Sequence, residues 1–284
     1  MKVSLVHNPH AGSALSKAEL VEAVSALGWK VKAFAMDDLK TALRRGADAV
    51  VVAGGDGTVG KVVKRLIGTG VPVALVPMGT ANNVARSLGL DLDPKRAIAA
   101  LKHARVRDVD VGTVRIANRK EEHFLEAFGV GLFAWVMAKR STRKSKKLRR
   151  AFSLLAAEII DYESQWTTIE VDGRDVSGDC VLAAVMNLRS LGPALGLAPH
   201  AEVDDGLLDV VLVRAEHRDA FRRHLERGPV ESKLTVPHLE VQHGKHIRVR
   251  SPEKWAHVDD RTRRMNGQVD IRVNPRAVRL LAPA

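Results

Sequence analysis

Two glycine-rich stretches carry the residue types that phosphate chemistry needs. Gly54-Gly55-Asp56-Gly57-Thr58 follows the run Val50-Val51-Val52-Ala53, and Pro77-Met78-Gly79-Thr80-Ala81-Asn82-Asn83 follows the apolar run Val73 to Val76. Glycine lets main-chain N–H groups close on phosphate oxygens, and an acidic side chain beside them can hold Mg²⁺. Gly55, Asp56, Gly57, Thr58 and Thr80 suit those tasks. A Gly-Gly-Asp-Gly turn standing alone could be no more than a tight turn. Two such loops, each at a strand end, point instead to a nucleotide phosphate site at the carboxyl edge of an α/β sheet.

Loops of this kind need strands to end in and helices to follow. Val3 to Val6, Val31 to Ala35, Ala49 to Ala53 and Val73 to Val76 read as strands. Between them Leu20, Val21, Val24 and Leu27 mark one helix face, stopped by Gly28. Ala42 to Arg45, Val59 to Ile67 and Val84 to Leu88 read as further helices. This alternation predicts a mostly parallel, doubly wound sheet over residues 1–110. Past Asp110 short β-type runs take over: Val111 to Ile116, Phe124 to Phe128, Thr167 to Val171, Val181 to Leu188, Leu207 to Val213, Leu239 to Val241, Ile247 to Val249 and Val269 to Val273. One helical stretch, Leu132 to Tyr162, interrupts them. The fold class is therefore α/β in two domains, with a β-rich domain over 111–274.

Composition narrows the partners. A net charge of +12 favours anionic ones, while an aromatic content of 4% with a single Tyr supplies no stacking platform, so no nucleic acid is expected. The lone Cys180 excludes an internal disulfide and lies in an apolar run, as a buried thiol would. No apolar run approaches the roughly 20 residues needed to span a bilayer, and a strand beginning at Lys2 leaves no room for a signal peptide. A cytoplasmic protein is expected. The basic run Lys139 to Arg150, KRSTRKSKKLRR, could dock on anionic headgroups at the inner face of the membrane, at about 1 kcal/mol per basic residue, or could simply be solvated. His243 and His246 lack further ligands and form no metal set. A homodimer stays open.

The ordered motifs resemble the diacylglycerol kinase catalytic-domain family, the bacterial lipid kinases related to sphingosine kinases and, more distantly, to NAD kinases. The resemblance rests on Asn8-Pro9-His10-Ala11-Gly12, GGDGT, Pro77 to Leu90, Asp108-Val109-Asp110-Val111-Gly112, Ala198 to Ala201, Asp205 to Asp209 and His257-Val258-Asp259-Asp260. GGDGT alone would be shared with NAD kinases; the segment from Pro77 to Leu90 favours the lipid-kinase branch. The resemblance implies an α/β nucleotide domain followed by a β-sandwich-like domain, with the last strand, and so residues 275–284, returning to the first domain. It implies an ATP- and Mg²⁺-dependent kinase acting on a hydroxyl of a diacylglycerol- or sphingoid-like lipid.

Carried over residue by residue, the nucleotide site would comprise Asn8, Pro9, His10, Ala11, Gly12, Gly54, Gly55, Asp56, Gly57, Thr58, Val59, Gly60, Gly79, Thr80, Asn82 and Asn83. Asp56 and Asp110 match an acidic network around the catalytic metal, whose usual third Asp is Asn83 here. Glu202, Asp205 and the backbone oxygen of Leu207 match a second, structural Mg²⁺ loop. At the C-terminal motif relatives usually carry a Glu as the base that takes the lipid hydroxyl proton, whereas this chain reads Asp259-Asp260-Arg261. An Arg stays protonated and cannot accept that proton, so Asp259 or Asp260 is the candidate base. The alternative is a catalytically weak or inactive kinase-fold protein that binds nucleotide, lipid or both.

Overall fold

A computed structural model describes residues 1–9, 11, 15–139, 148–192, 194–228 and 239–283. The chain divides into two compact units, Met1–Asp110 with Arg276–Ala284, and Val111–Pro275.

The first unit opens with strand β1 (Lys2–His7), helix α1 (Lys17–Ser25), β2 (Lys30–Ala35), α2 (Leu39–Arg44), β3 (Ala49–Gly54), α3 (Asp56–Leu66), β4 (Val73–Pro77), α4 (Asn83–Ser87) and α5 (Pro94–Ala100). The sheet runs β4-β3-β1-β2, every pair parallel. Helices cover both faces. Val3 and Leu5 pack with Leu20 and Val24 of α1 and Ile98 of α5, while Ser4, pointing the other way, donates its hydroxyl to Ala42 O of α2 at 2.9 Å. A central strand buried on both faces needs no polar side, which is why β3 is an unbroken apolar run with every residue buried. The chain leaves this unit within strand β5 (Arg105–Ile116) and re-enters it within the last strand, where Leu280 and Leu281 pair parallel to Val73 and Ala74.

The second unit continues with β6 (Glu122–Phe124), β7 (Ala127–Gly131), α6 (Leu132–Lys139), α7 (Leu148–Asp161), β8 (Gln165–Val171), β9 (Arg174–Asp175), β10 (Gly178–Met186), β11 (Ser190–Leu191), β12 (Leu195–Gly196), β13 (Leu208–Arg214), α8 (Arg218–Arg227), β14 (Glu240–Gly244), β15 (His246–Arg250), β16 (Trp255–Val258), β17 (Arg261–Arg264) and β18 (Val269–Ala282). An antiparallel layer β17-β16-β7-β10-β13-β14 faces the strands β8, β15 and the start of β18. The period-two rule of a strand sorts β10 between two cores. Ala183 and Val185 join Phe128, Ile169, Ile247 and Ile271 inside the sandwich. Leu182, Ala184 and Met186 join Phe133, Phe152, Ile159 and Phe221 beneath α6, α7 and α8.

Several boundaries differ from expectation. The helix after GGDGT starts at Asp56 rather than Val59, because Gly55 in extended geometry serves as its N-cap. The run Phe124 to Phe128 is split between β6 and β7, and the run Val269 to Val273 is only the first part of a longer strand, β18, with Arg276 at φ +50° inside it. Helix α8 carries only Phe221, His224 and Leu225 as buried residues among its charges, and was not expected. Of the basic run, residues 140–147 lie outside the described residues. Among the described residues no helix is long and apolar enough to cross a membrane.

Candidate functional site

At the carboxyl edge of the first unit's sheet, β3 and β4 lead into the two glycine loops side by side, and Met78 N–H continues the ladder by donating to Gly54 O at 3.0 Å. The loops touch backbone to backbone. A Cβ built on Gly79 would stand 2.5 Å from Gly55 Cα and 2.7 Å from Asn82 Oδ1, and one on Gly55 would stand 2.9 Å from Gly79 Cα. Neither position has room for a side chain, since a backbone neighbour cannot swing away. Gly54 is as tight, its Cβ falling 2.7 Å from Thr58 Cβ.

Polar contacts lock the pair. Asn82, left-handed at φ 52°, closes its loop by accepting from Gly79 N at 2.8 Å and donating to Gly79 O at 3.0 Å. Its side chain is then unavailable to cap α4. Asp56 does that from outside: its Oδ1 accepts from Val84 N at 3.1 Å. Burial pushes the Asp56 carboxyl pKa up, opposed by the surrounding amides. Asn8 Nδ2 donates to Thr58 Oγ1 at 2.9 Å, tying the Asn-Pro loop to α3.

The cradle fits phosphate. Main chain of two loops approaches within the space of one missing Cβ, and α3 presents its positive end there. Asp56 presents a carboxylate, the oxygen donor type a hard divalent cation takes. Gly57 and Thr80 are exposed beside it, and Asn83 is fully buried. Thr58 and Val59 give their amides to Gly55 O at 2.8 and 3.0 Å, so these N–H groups serve the first turn of the helix. Gly60 lies one residue deeper in α3. Asp110 is fully buried and its Oδ1 accepts from Arg276 N at 2.7 Å, which binds the middle of β5 to the returning β18. Pro9 and Ala11 line a cavity next to Met78; His10 and Gly12 lie outside the described residues.

In the second unit, Asp259 and Asp260 form the tip between β16 and β17. Asp259, at φ 49°, turns its carboxylate onto three consecutive amides: Leu125 N at 3.1 Å, Glu126 N at 2.8 Å and Ala127 N at 3.3 Å. Sequence reasoning missed this clamp, because the partner amides are 132 to 134 residues away. Glu126, itself buried, accepts from Gly192 N, and Asn187 donates to Leu125 O at 3.1 Å. Asp260 is exposed.

Asp205 Oδ1 accepts from Leu207 N at 2.9 Å, a short-range turn with Gly206 at φ +74°; Glu202 and Asp205 are both exposed. Among the described residues no group of three or more His, Cys, Asp or Glu side chains converges as a metal site. The nearby Asp209 is buried, lies 3.3 Å from His243 Nε2, and is pushed up to about 6, chiefly by burial.

Comparison with known proteins follows the two units. Residues 2–114 match the family model of the diacylglycerol kinase catalytic domain. Residues 126–282 match the YegS C-terminal NAD kinase beta sandwich-like domain. A diacylglycerol kinase of Mycobacterium tuberculosis is 31% identical over 189 residues, 65% of this chain and 61% of that protein, so the match spans less than two thirds of the relative. The Pseudomonas putida protein named "Probable lipid kinase YegS-like" is 33% identical over 207 residues, 71% of this chain and 68% of its own length. A crystal structure of a diacylglycerol kinase from Bacillus anthracis superposes with a TM-score of 0.75 at 21% identity, covering 99% of this chain and 96% of the other. At that identity the likeness speaks for the fold.

Proposed function

Because the chain belongs to the family of diacylglycerol kinase catalytic-domain and YegS-like lipid kinases, we propose that it transfers a phosphoryl group from ATP to a hydroxyl of a diacylglycerol- or sphingoid-like lipid. The observation that carries the reading is the Gly55–Gly79 contact with Asp56 bridging to α4. Phosphoryl transfer is mostly positioning and charge neutralisation, and a rigid cradle of main chain with one carboxylate supplies both. Asp56, with Asp110, would hold Mg²⁺. Magnesium, when bound, neutralises charge on the phosphate oxygens. The glycine loops orient the phosphates, and Asp260 is the carboxylate we assign to accept the lipid hydroxyl proton. Asp259 has its lone pairs on three amides. Glu202, Asp205 and Leu207 O would hold a second, structural Mg²⁺. The cationic chain would meet its lipid at an anionic membrane surface, from the cytoplasmic side.

One observation favours a second reading, a nucleotide- or lipid-binding protein with weak catalysis: the acidic tip offers one exposed Asp, next to Arg261. Losing a general base typically costs about 10²–10⁴-fold in rate.

The test is transfer of labelled γ-phosphate to a lipid panel. Lipid-dependent product is expected, falling at least about 10²-fold in Asp56→Asn and rising in Arg261→Glu. No lipid-dependent transfer at high enzyme concentration rejects the kinase reading, and an unchanged rate in Arg261→Glu rejects a missing base as the cause of any slowness.

A further inference from the structure

The first unit contains a cavity of about 520 Å³ at the same carboxyl edge as the glycine loops. Its wall takes His7 from the end of β1, Phe34 and Ala35 from the end of β2, Met78 from just past β4, and Lys17 from the start of α1. Strand β1 lies between β3 and β2, although β2 precedes β3 in the chain. Connections therefore leave β1 on one side and return on the other, and the crevice above such a reversal is where open α/β sheets take ligands.

The lining is mostly apolar: Phe34 and Met78 are 7% and 2% exposed. His7, Ser16 and Lys17 are the exceptions. The His7 side chain belongs to a residue only 8% exposed, and among the described residues its ring has no hydrogen-bond partner. The ring lines the cavity, where a ligand can meet it. Ser16, also in the wall, is already engaged in the capping box with Glu19. Burial and the neighbouring Lys17 ammonium both push the His7 pKa down, so at neutral pH the ring carries one N–H donor and one lone-pair acceptor. An acyl chain in this cavity would leave both unmet. A flat heteroaromatic ring matches the wall: its faces meet Phe34 and Met78, and its edge offers the donor or acceptor that His7 lacks.

We propose that His7 reads the nucleobase of the phosphoryl donor and is the residue that sets the preference among nucleoside triphosphates. This rests on the kinase reading, and deepens it at the one site that reading left without a polar contact.

The experiment is calorimetric titration of the whole chain, with Mg²⁺, against ATP, GTP, CTP and inorganic tripolyphosphate. The wild type is compared with His7→Leu and His7→Gln. One lost hydrogen bond corresponds to about 2- to 13-fold in affinity. His7→Leu should weaken the preferred nucleotide by that factor, draw the nucleotides towards equal affinity, and leave tripolyphosphate unchanged; His7→Gln should recover part of the preference. A wild-type order of preference persisting in His7→Leu overturns the proposal, as does an equal loss for tripolyphosphate, which would mean a merely structural His7. If His7→Leu gives no cooperative melt, the ¹⁵N resonances of the His7 ring in the wild type decide. They should move on adding the preferred nucleotide and stay put with tripolyphosphate; an unmoved ring overturns the assignment. Failure of the wild type to bind any of the four probes would instead sink the nucleotide reading itself.

Discussion

Asp259 shows how a residue singled out for chemistry can be claimed by architecture. Three N–H groups converge on its carboxylate, and hydrogen bonds to charged acceptors contribute about 1.5–3 kcal/mol each before context is considered. Asp259→Ala should therefore destabilise the chain by about 2–4 kcal/mol, read as a lower midpoint in urea; an unchanged midpoint would mean the clamp is dispensable. His257, two residues earlier, makes a sharper case. It is 2% exposed, packed edge-on against Phe133 at 4.9 Å, and burial lowers its pKa to about 4. Below the unfolded value of 6.5 the unfolded chain takes up a proton that the folded one refuses, so stability is present at neutral pH and is lost as pH falls from about 6.5 to 4. At about 1.4 kcal/mol per pK unit the loss approaches 3 kcal/mol. Asp209, raised to about 6, acts in the opposite sense over the same range. The difference in unfolding free energy between wild type and His257→Leu should isolate the histidine, shrinking as pH falls. A difference flat from pH 7 to 4 would show that His257 titrates alike in both states.

Elements were legible where their pattern was local. The glycine loops, strands β1 to β4 and the longer runs of the second unit were visible as letters, because a doubly buried strand such as β3 is a continuous apolar run, whereas β16 and β17, which flank the Asp259 tip, were not expected. Helix α3 was placed three residues late, since Asp-Gly has poor helix propensity and only tertiary contact with Gly79 fixes Gly55 as the cap. Helix α8 was invisible for a different reason: RDAFRRHLER shows two strong apolar residues among ten, and its face exists only against the core around Ile159 and Val213. What no local pattern revealed was the contact between loops. Gly79→Ala places a methyl 2.5 Å from Gly55 Cα, so it should cost about 1–3 kcal/mol and abolish ATP binding by calorimetry. Normal affinity in that variant would show that the loops need not touch.

At the scale of the whole molecule, charge is the property that no single element explains. A net +12 should draw the chain to vesicles containing phosphatidylserine at low salt and release it as ionic strength rises and the Debye length shrinks from about 10 Å at 0.1 M to about 3 Å at 1 M. Sedimentation with vesicles measures this, and binding indifferent to salt would assign the attraction to apolar contact instead. Along the chain the letters change near Asp110 from alternating helices and strands to mostly strands. The final residues were not readable without a resemblance, because Val278 to Leu281 looks like any other short β run. Their place alongside Val73 and Ala74 governs the order of events at the ribosome. The edge of β4 emerges some two hundred residues before the segment that covers it, so during translation the nascent first unit carries an open, adhesive flank until that segment follows.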